Sequence, residues 1–395
     1  MKARKGDGVA VTVLILLALT ASMPSFAQSP IRVGATMSIT GNAYSVQGGY
    51  GREGYLLCQK HVNAQGGVLG RPIELVIYDD QSDEKTAARL YEKLIVEDKV
   101  DAILGPYGSA ITEAVADISE RHQKLMIAAN AATTAIWEKG RRYLIMVLAP
   151  VDSAAVGVLD LAARSGLKRV AILSQDALLP SAVAKGTSDG ARRLGLDVVL
   201  SERYATGTGD FSGVLNAVKA VNPEVFVAAS IRLDDLVTIT HKMKDLDLNV
   251  KMLASLPYGL LPEYQQRLGK DAEFVYSATF WEPALPNPGN QEFVAAYEKE
   301  FKRAPAVQSA NSYAGCQIFA EAVRRAGSTE SDKLRDAVLA LRTKTILGDF
   351  AVDGRGFQVG QKAVTVQWQD GKKVVVWPNE VASGKLLPTP PWRLR

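Results

Sequence analysis

The segment Asn63-Ala64-Gln65-Gly66-Gly67-Val68-Leu69-Gly70-Arg71-Pro72-Ile73-Glu74-Leu75, with Tyr78-Asp79-Asp80 just beyond it, decides the fold class. It reads as the end of a helix, a turn through paired glycines and the start of the next strand. Glycine supplies the positive φ that a helix-ending turn requires. The same alternation repeats on both sides of it. Short β-rich runs at residues 31–35, 73–78, 101–105, 125–129, 170–174, 198–201, 225–229 and 252–254 are separated by longer helical patterns. Strands alternating with helices predict parallel sheets covered by helices on both faces.

The helices carry recognisable starts. Ser82-Asp83-Glu84 precedes the helical stretch 85–97, where acidic groups suit the positive end of the helix dipole. A first set of four strand-helix units closes near Pro150, and a second begins at Ser153. Beyond Phe274 an extended run leads to Phe280 and a proline-rich segment, 283–288, followed by helical stretches at 291–301 and 311–326. Near the C-terminus, residues 364–368 and 373–377 flank Asp370-Gly371, a strong hairpin turn signal.

A length of 395 residues accommodates two cores, so two domains are expected. The first residues differ in kind from the rest. Lys2, Arg4 and Lys5 precede the apolar run 9–19, and Ser25-Phe26-Ala27 places small residues where a signal peptidase reads. A secretory leader cleaved after Ala27 is expected, because the apolar run is shorter than the ~20 residues that span a bilayer. No cysteine near its end offers a lipidation site, and no twin arginine precedes it. Export to a periplasm is expected, because a free exported chain stays with the cell only where an outer barrier retains it.

The leader's three cations and Asp7 account for half of the formal charge of +4, so the mature chain is nearly balanced and nothing points to nucleic acid. Lys139-Gly140-Arg141-Arg142 and Arg324-Arg325 read as solvated surface. Cys58 and Cys316 both fall on apolar helix faces, where a disulfide and two buried thiols are equally open readings.

Motifs of catalysis are missing. His61, His122 and His241 are not spaced as a metal pair, and there is no dinucleotide fingerprint, phosphate loop or nucleophile elbow. Asp79-Asp80 reads as a strand end feeding a helix rather than an acid/base couple. A binder without cofactor or metal is expected, not an enzyme.

The Gly-Gly segment, residues 105–109, Asn130-Ala131-Ala132-Thr133, Gly209-Asp210-Phe211-Ser212 and Asn222-Pro223 together resemble type 1 periplasmic binding proteins, in the branch of the leucine/isoleucine/valine-binding proteins. The resemblance covers nearly the whole mature chain. It implies an α/β fold of two doubly wound parallel-sheet lobes joined by a three-strand hinge. Lobe 1 would comprise 28–150 plus 277–354, and lobe 2 would comprise 151–276 plus 355–395, with crossings near Pro150, Ser277 and Gly354. It further implies a monomer that delivers a small ligand to the membrane domains of an ABC transporter; a sensor docking on a membrane receptor would share the same sequence features.

Ligands of open α/β sheets bind outside the carboxyl ends of the strands. Tyr44, after the first strand, matches an aromatic position lining the family's cleft. Ser109, opening a helix after Gly105-Pro106-Tyr107-Gly108, matches the family's carboxylate-binding serine, and Asn130, Ala131 and Thr133 match its second carboxylate loop, with a one-residue slip open between Ala132 and Thr133. The second lobe departs from the amino-acid pattern. Leu179-Pro180 replaces an aromatic contact, Arg232 aligns with another, and Ser255-Leu256-Pro257 holds no carboxylate where the family pairs an ammonium. An unpartnered buried ammonium costs several kcal/mol, roughly the whole useful affinity for a zwitterion.

The expected ligand is therefore an organic acid without the amine, apolar or aromatic. Leu179, Leu256, Tyr258 and Trp281 would form its walls, with Trp281 equally suited to hinge packing. Arg232 reads as a bidentate partner for a carboxylate or as a helix-start cation paired to Asp234 or Asp235. A branched-chain amino acid is the second expectation, with Glu282 or Asp235 in place of the missing acid.

Overall fold

The computed structural model describes residues 29–41 and 44–395. The expected leader and its cleavage point lie outside the described residues. No described helix is long and apolar enough to cross a membrane.

Fourteen strands are described: β1 (Ile31–Met37), β2 (Ile73–Asp79), β3 (Ala102–Leu104), β4 (Met126–Ala128), β5 (Leu144–Met146), β6 (Arg169–Gln175), β7 (Asp197–Tyr204), β8 (Val225–Ser230), β9 (Met252–Pro257), β10 (Tyr276–Thr279), β11 (Arg342–Thr345), β12 (Gly348–Ala351), β13 (Val364–Gln369) and β14 (Lys372–Trp377). The first sheet runs β2-β1-β3-β4-β5, all parallel. The second runs β14-β13-β10-β9-β8-β6-β7, parallel from β10 to β7 and closed on its other edge by the antiparallel β13–β14 hairpin. Helices between the strands cover these sheets, giving two doubly wound lobes.

The Gly-Gly segment shows why it dictates this geometry. Asn63, at the end of helix Ser45–Ala64, donates from its carboxamide to the Ile73 carbonyl (2.9 Å) and accepts from the Ile73 N–H (2.8 Å), so the helix end is pinned to the start of β2. Between them the chain reverses through Gly66 and Gly67 at φ of 94° and 75°. At the far end of β2, Asp80 is fully buried and accepts from the hydroxyls of Thr36 and Ser38, tying β2 to β1. That carboxylate is structural.

Two expected crossings move along the chain. Ser277 lies inside β10 and pairs with β13, so the chain leaves the second sheet only after Thr279. Near Gly354 the chain is still tied to the first sheet, because the Gly356 carbonyl accepts from the Met146 N–H of β5 (2.8 Å); the crossing falls at Gln358 to Lys362. Gln361 fastens the three crossings together. Its carboxamide accepts from the Ala149 N–H (2.7 Å) and donates to the Phe280 carbonyl (3.1 Å), while its own backbone forms the third. Gln358 adds a bond to the Val147 carbonyl (2.9 Å).

Cys58 and Cys316 form a disulfide, which joins helix Ser45–Ala64 to helix Val307–Ala326 across 258 residues of sequence. The reading as two free thiols is thereby set aside.

Candidate functional site

Each sheet has one topological switch point, where neighbouring strands send their connections in opposite directions and leave a crevice at their carboxyl ends. In the first sheet it lies between β1 and β3; in the second, between β6 and β8. The two crevices face each other across an inner cavity of about 430 Å³. Tyr44 follows β1, and Tyr107, Gly108 and Ser109 follow β3; opposite them, Ala177, Leu178 and Leu179 follow β6, and Ile231 follows β8.

The polar corner is built on helix Ser109–Arg121. Gly108, at φ of 93°, turns the chain into the helix and passes beneath the Tyr44 ring, 3.9 Å from where a Cβ would stand. The first-turn N–H groups of such a helix have no intrahelical acceptor and carry the positive end of its dipole. Thr133 donates its hydroxyl proton to the Ser109 oxygen (3.0 Å), which leaves the Ser109 proton free to be donated into the cavity. Asn130 donates to the Ser312 hydroxyl (2.8 Å) and accepts from Asn311 (3.3 Å), fixing its carboxamide beside the same corner.

The remaining wall is apolar, with Leu148, Val151, Leu178, Leu179, Leu260 and Phe280 prominent. Glu84 is the one carboxylate on the inner cavity among the described residues, and it is exposed at the first turn of helix Glu84–Val96. The lobes touch through two tyrosines, whose hydroxyl oxygens are 3.0 Å apart: Tyr107 from the first and Tyr258 from the second. Burial raises the pKa of Tyr107 to about 12 and also raises Tyr258, so both remain protonated donors at neutral pH.

A second, outer chamber of about 730 Å³ adjoins the first and shares Tyr44, Tyr258 and Gln308 with it. Arg232 and Trp281 line this outer chamber. Arg232 is paired through Nε to Asp235 (3.3 Å), with Asp234 at 3.9 Å, as its helix-start reading anticipates. Trp281 is buried, edge-on to Phe293, and its indole N–H donates to Asn290, so it packs the hinge as well as facing the chamber.

The structure therefore brings Tyr44, Ser109, Asn130, Leu179 and Tyr258 to the inner cavity. Three expected positions are displaced by one residue. Successive residues of extended chain point to opposite sides, so Asn130 and Ala132 face the cavity while Ala131 and Thr133 face away. Leu256 is wholly buried in the core, and Pro257, where β9 ends and the chain turns into the short helix Tyr258–Leu260, lies on the wall. Tyr107, Ile231, Leu261, Phe280, Gln308 and Asn311 are lining residues that the sequence reading did not single out. Tyr107 and Ile231 could have been found from the switch-point rule; Phe280, Gln308 and Asn311 arrive from beyond a hinge crossing and have no local signature.

Facing switch-point crevices closed over a cavity define a two-lobed cleft binder. The chain belongs to the periplasmic binding protein family, whose model matches residues 30–373. Leu/Ile/Val-binding protein homolog 7 of Brucella suis biovar 1 (strain 1330) is 25% identical over 96% of this chain and 98% of its own, which agrees with the branch read from the Gly-Gly segment. Among solved structures, a leucine binding protein, LivK, from Thermotoga maritima MSB8 superimposes with a TM-score of 0.77 at 22% identity, covering 88% of this chain and 97% of the other. A solute binding protein of an ABC transporter from Rhodopseudomonas palustris BisB5, in complex with 3,4-dihydroxy benzoic acid, does so with a TM-score of 0.74 at 24% identity, covering 87% and 95%.

Proposed function

We propose that this protein is the exported solute-binding component of an ABC importer and that it carries a small carboxylic acid with an apolar or aromatic body. The observation that carries the reading is the inner cavity's asymmetry. One corner offers the free Ser109 proton and the first-turn N–H groups of helix Ser109–Arg121, a combination suited to a carboxylate. The rest is mostly apolar wall, with Glu84, Gln308 and Asn311 among its polar members.

An amino acid would need a counter-charge for its ammonium. The two carboxylates considered for that part are both engaged elsewhere: Glu282 accepts from Lys373 in the outer chamber (2.7 Å), and Asp235 is held by Tyr204, Ser230 and Arg232. This supports an acid without the amine. In this reading the acid docks on Ser109, and contact with Leu179 and Tyr258 then favours the closed form, by as much as its affinity for closed exceeds that for open. The transporter's membrane domains recognise that form.

Isothermal titration of the mature protein with benzoate, phenylpropenoate and leucine tests the reading. Binding of the aromatic acids with no heat from leucine supports it. Binding of leucine alone overturns it and transfers the ammonium to Glu84, on the cavity rim.

A further inference from the structure

The outer chamber alone, about 730 Å³, lies within the range of about 300–1,000 Å³ that houses a drug-sized ligand. It borders the inner cavity, and Tyr44, Tyr258 and Gln308 line both. A single-ring acid held at Ser109 would leave this space to water.

The neck between the chambers carries a buried polar group. Gln308, in the first turn of helix Val307–Ala326, is 5% exposed. It lines both chambers. A carboxamide has two N–H donors and an oxygen with two lone pairs to offer a ligand there.

Beyond the neck the charges are mostly matched. Lys373 is taken by Glu282 (2.7 Å) and Asp234 by Arg267 (2.6 Å), while Glu263 is exposed. Arg232 is different. Its Nε is held by Asp235, itself fixed by Tyr204 (3.0 Å) and Ser230 (3.2 Å), while its terminal nitrogens make only a long ion pair with Asp234 (3.9 Å) on a side chain that is 47% exposed. The guanidinium is anchored at one edge with its fork open, the arrangement that receives a planar anion in bidentate fashion.

Building on the carboxylate reading above, we infer that the ligand is two-headed. One carboxylate docks at Ser109, an apolar body passes Gln308 at the neck, and a second carboxylate or similar planar anion meets the fork of Arg232.

The test compares matched pairs by isothermal titration: para-carboxycinnamate against para-methylcinnamate, and the corresponding biphenyl diacid against its methyl monoacid. The inference expects one diacid to bind at least roughly tenfold more tightly than its methyl partner, and Arg232→Gln to bring that ratio close to one. Methyl partners that bind as tightly as the diacids at both lengths would overturn the inference and leave the monocarboxylate reading standing. Failure of every acid to bind overturns both. A diacid preference that persists in Arg232→Gln removes Arg232 from the role.

Discussion

Tyr107 and Tyr258 meet hydroxyl to hydroxyl at 3.0 Å, and theirs is a direct bond between the end of one sheet and the end of the other. A neutral hydrogen bond contributes about 0.5–1.5 kcal/mol, and this one exists only when the lobes are together. Tyr258→Phe should therefore weaken ligand binding by roughly twofold to tenfold and raise the radius of gyration of the liganded protein in small-angle scattering. Unchanged affinity and unchanged dimensions would show that the contact does not help hold the cleft shut.

Ser109 donates the charge-assisted bond in the proposed site, a class worth about 1.5–3 kcal/mol. Ser109→Ala should weaken benzoate binding by at least roughly tenfold. Because the effect depends on the ligand's charge, the neutral amide analogue should lose much less. Equal losses for acid and amide would show that the hydroxyl acts through local structure rather than on the ligand's charge.

Arg141 anchors the segment that follows Asn130–Thr133. Its guanidinium binds Glu113 through two nitrogens (2.9 and 3.0 Å) and Asp117 through Nε (2.7 Å). Burial works against the Glu113 charge, yet the hydrogen bonds from Arg141 and Lys139 prevail and hold that carboxyl below its ordinary 4.5; Arg141 chiefly holds Asp117 below 3.8. Depressed carboxylate pKa values stabilise the fold fully above the unfolded values and cease to do so as pH falls through the folded ones. Urea denaturation should thus show stability declining below about pH 4.5, with a shallower decline in Arg141→Met. At neutral pH that variant should lose roughly 2 kcal/mol, less than a fully buried pair because Asp117 is exposed.

The Cys58–Cys316 bridge closes a loop that includes the entire second-lobe parallel sheet. Replacing both cysteines by serine should cost about 2–4 kcal/mol in chemical denaturation. Ligand affinity should change little, because the bridge lies on the far side of helix Val307–Ala326 from the cleft, where its neighbours include His61 and Glu321. An unaltered denaturation midpoint would mean that helix packing alone secures that junction.

Much of the architecture was legible because long β-rich runs and glycine turns have local causes. Of the strands with the clearest runs, β1, β6 and β8 border the two switch points, while β2 is an edge strand of the first sheet. Strands β3, β4 and β5 have three residues each, and of these only β5, Leu144–Met146, is absent from the sequence reading; the β11–β12 hairpin is too polar and short to announce itself. In the site, a residue number that is right to within one is still wrong: Ala132 faces the cavity and Ala131 does not, and at the end of β9 Pro257 faces it while Leu256 is buried in the core. Gln308 and Phe280 reach the cavity through the order of the crossings, a long-range fact with no local trace.

Gln361 grips one crossing with its carboxamide oxygen and another with its nitrogen while forming part of the third. Three connections bound at one point cannot bend independently, so bending any of them moves the others. One side chain thus tethers all three connections between two otherwise separate sheets, and under the importer reading a membrane partner would meet lobes whose links are fastened at a single point.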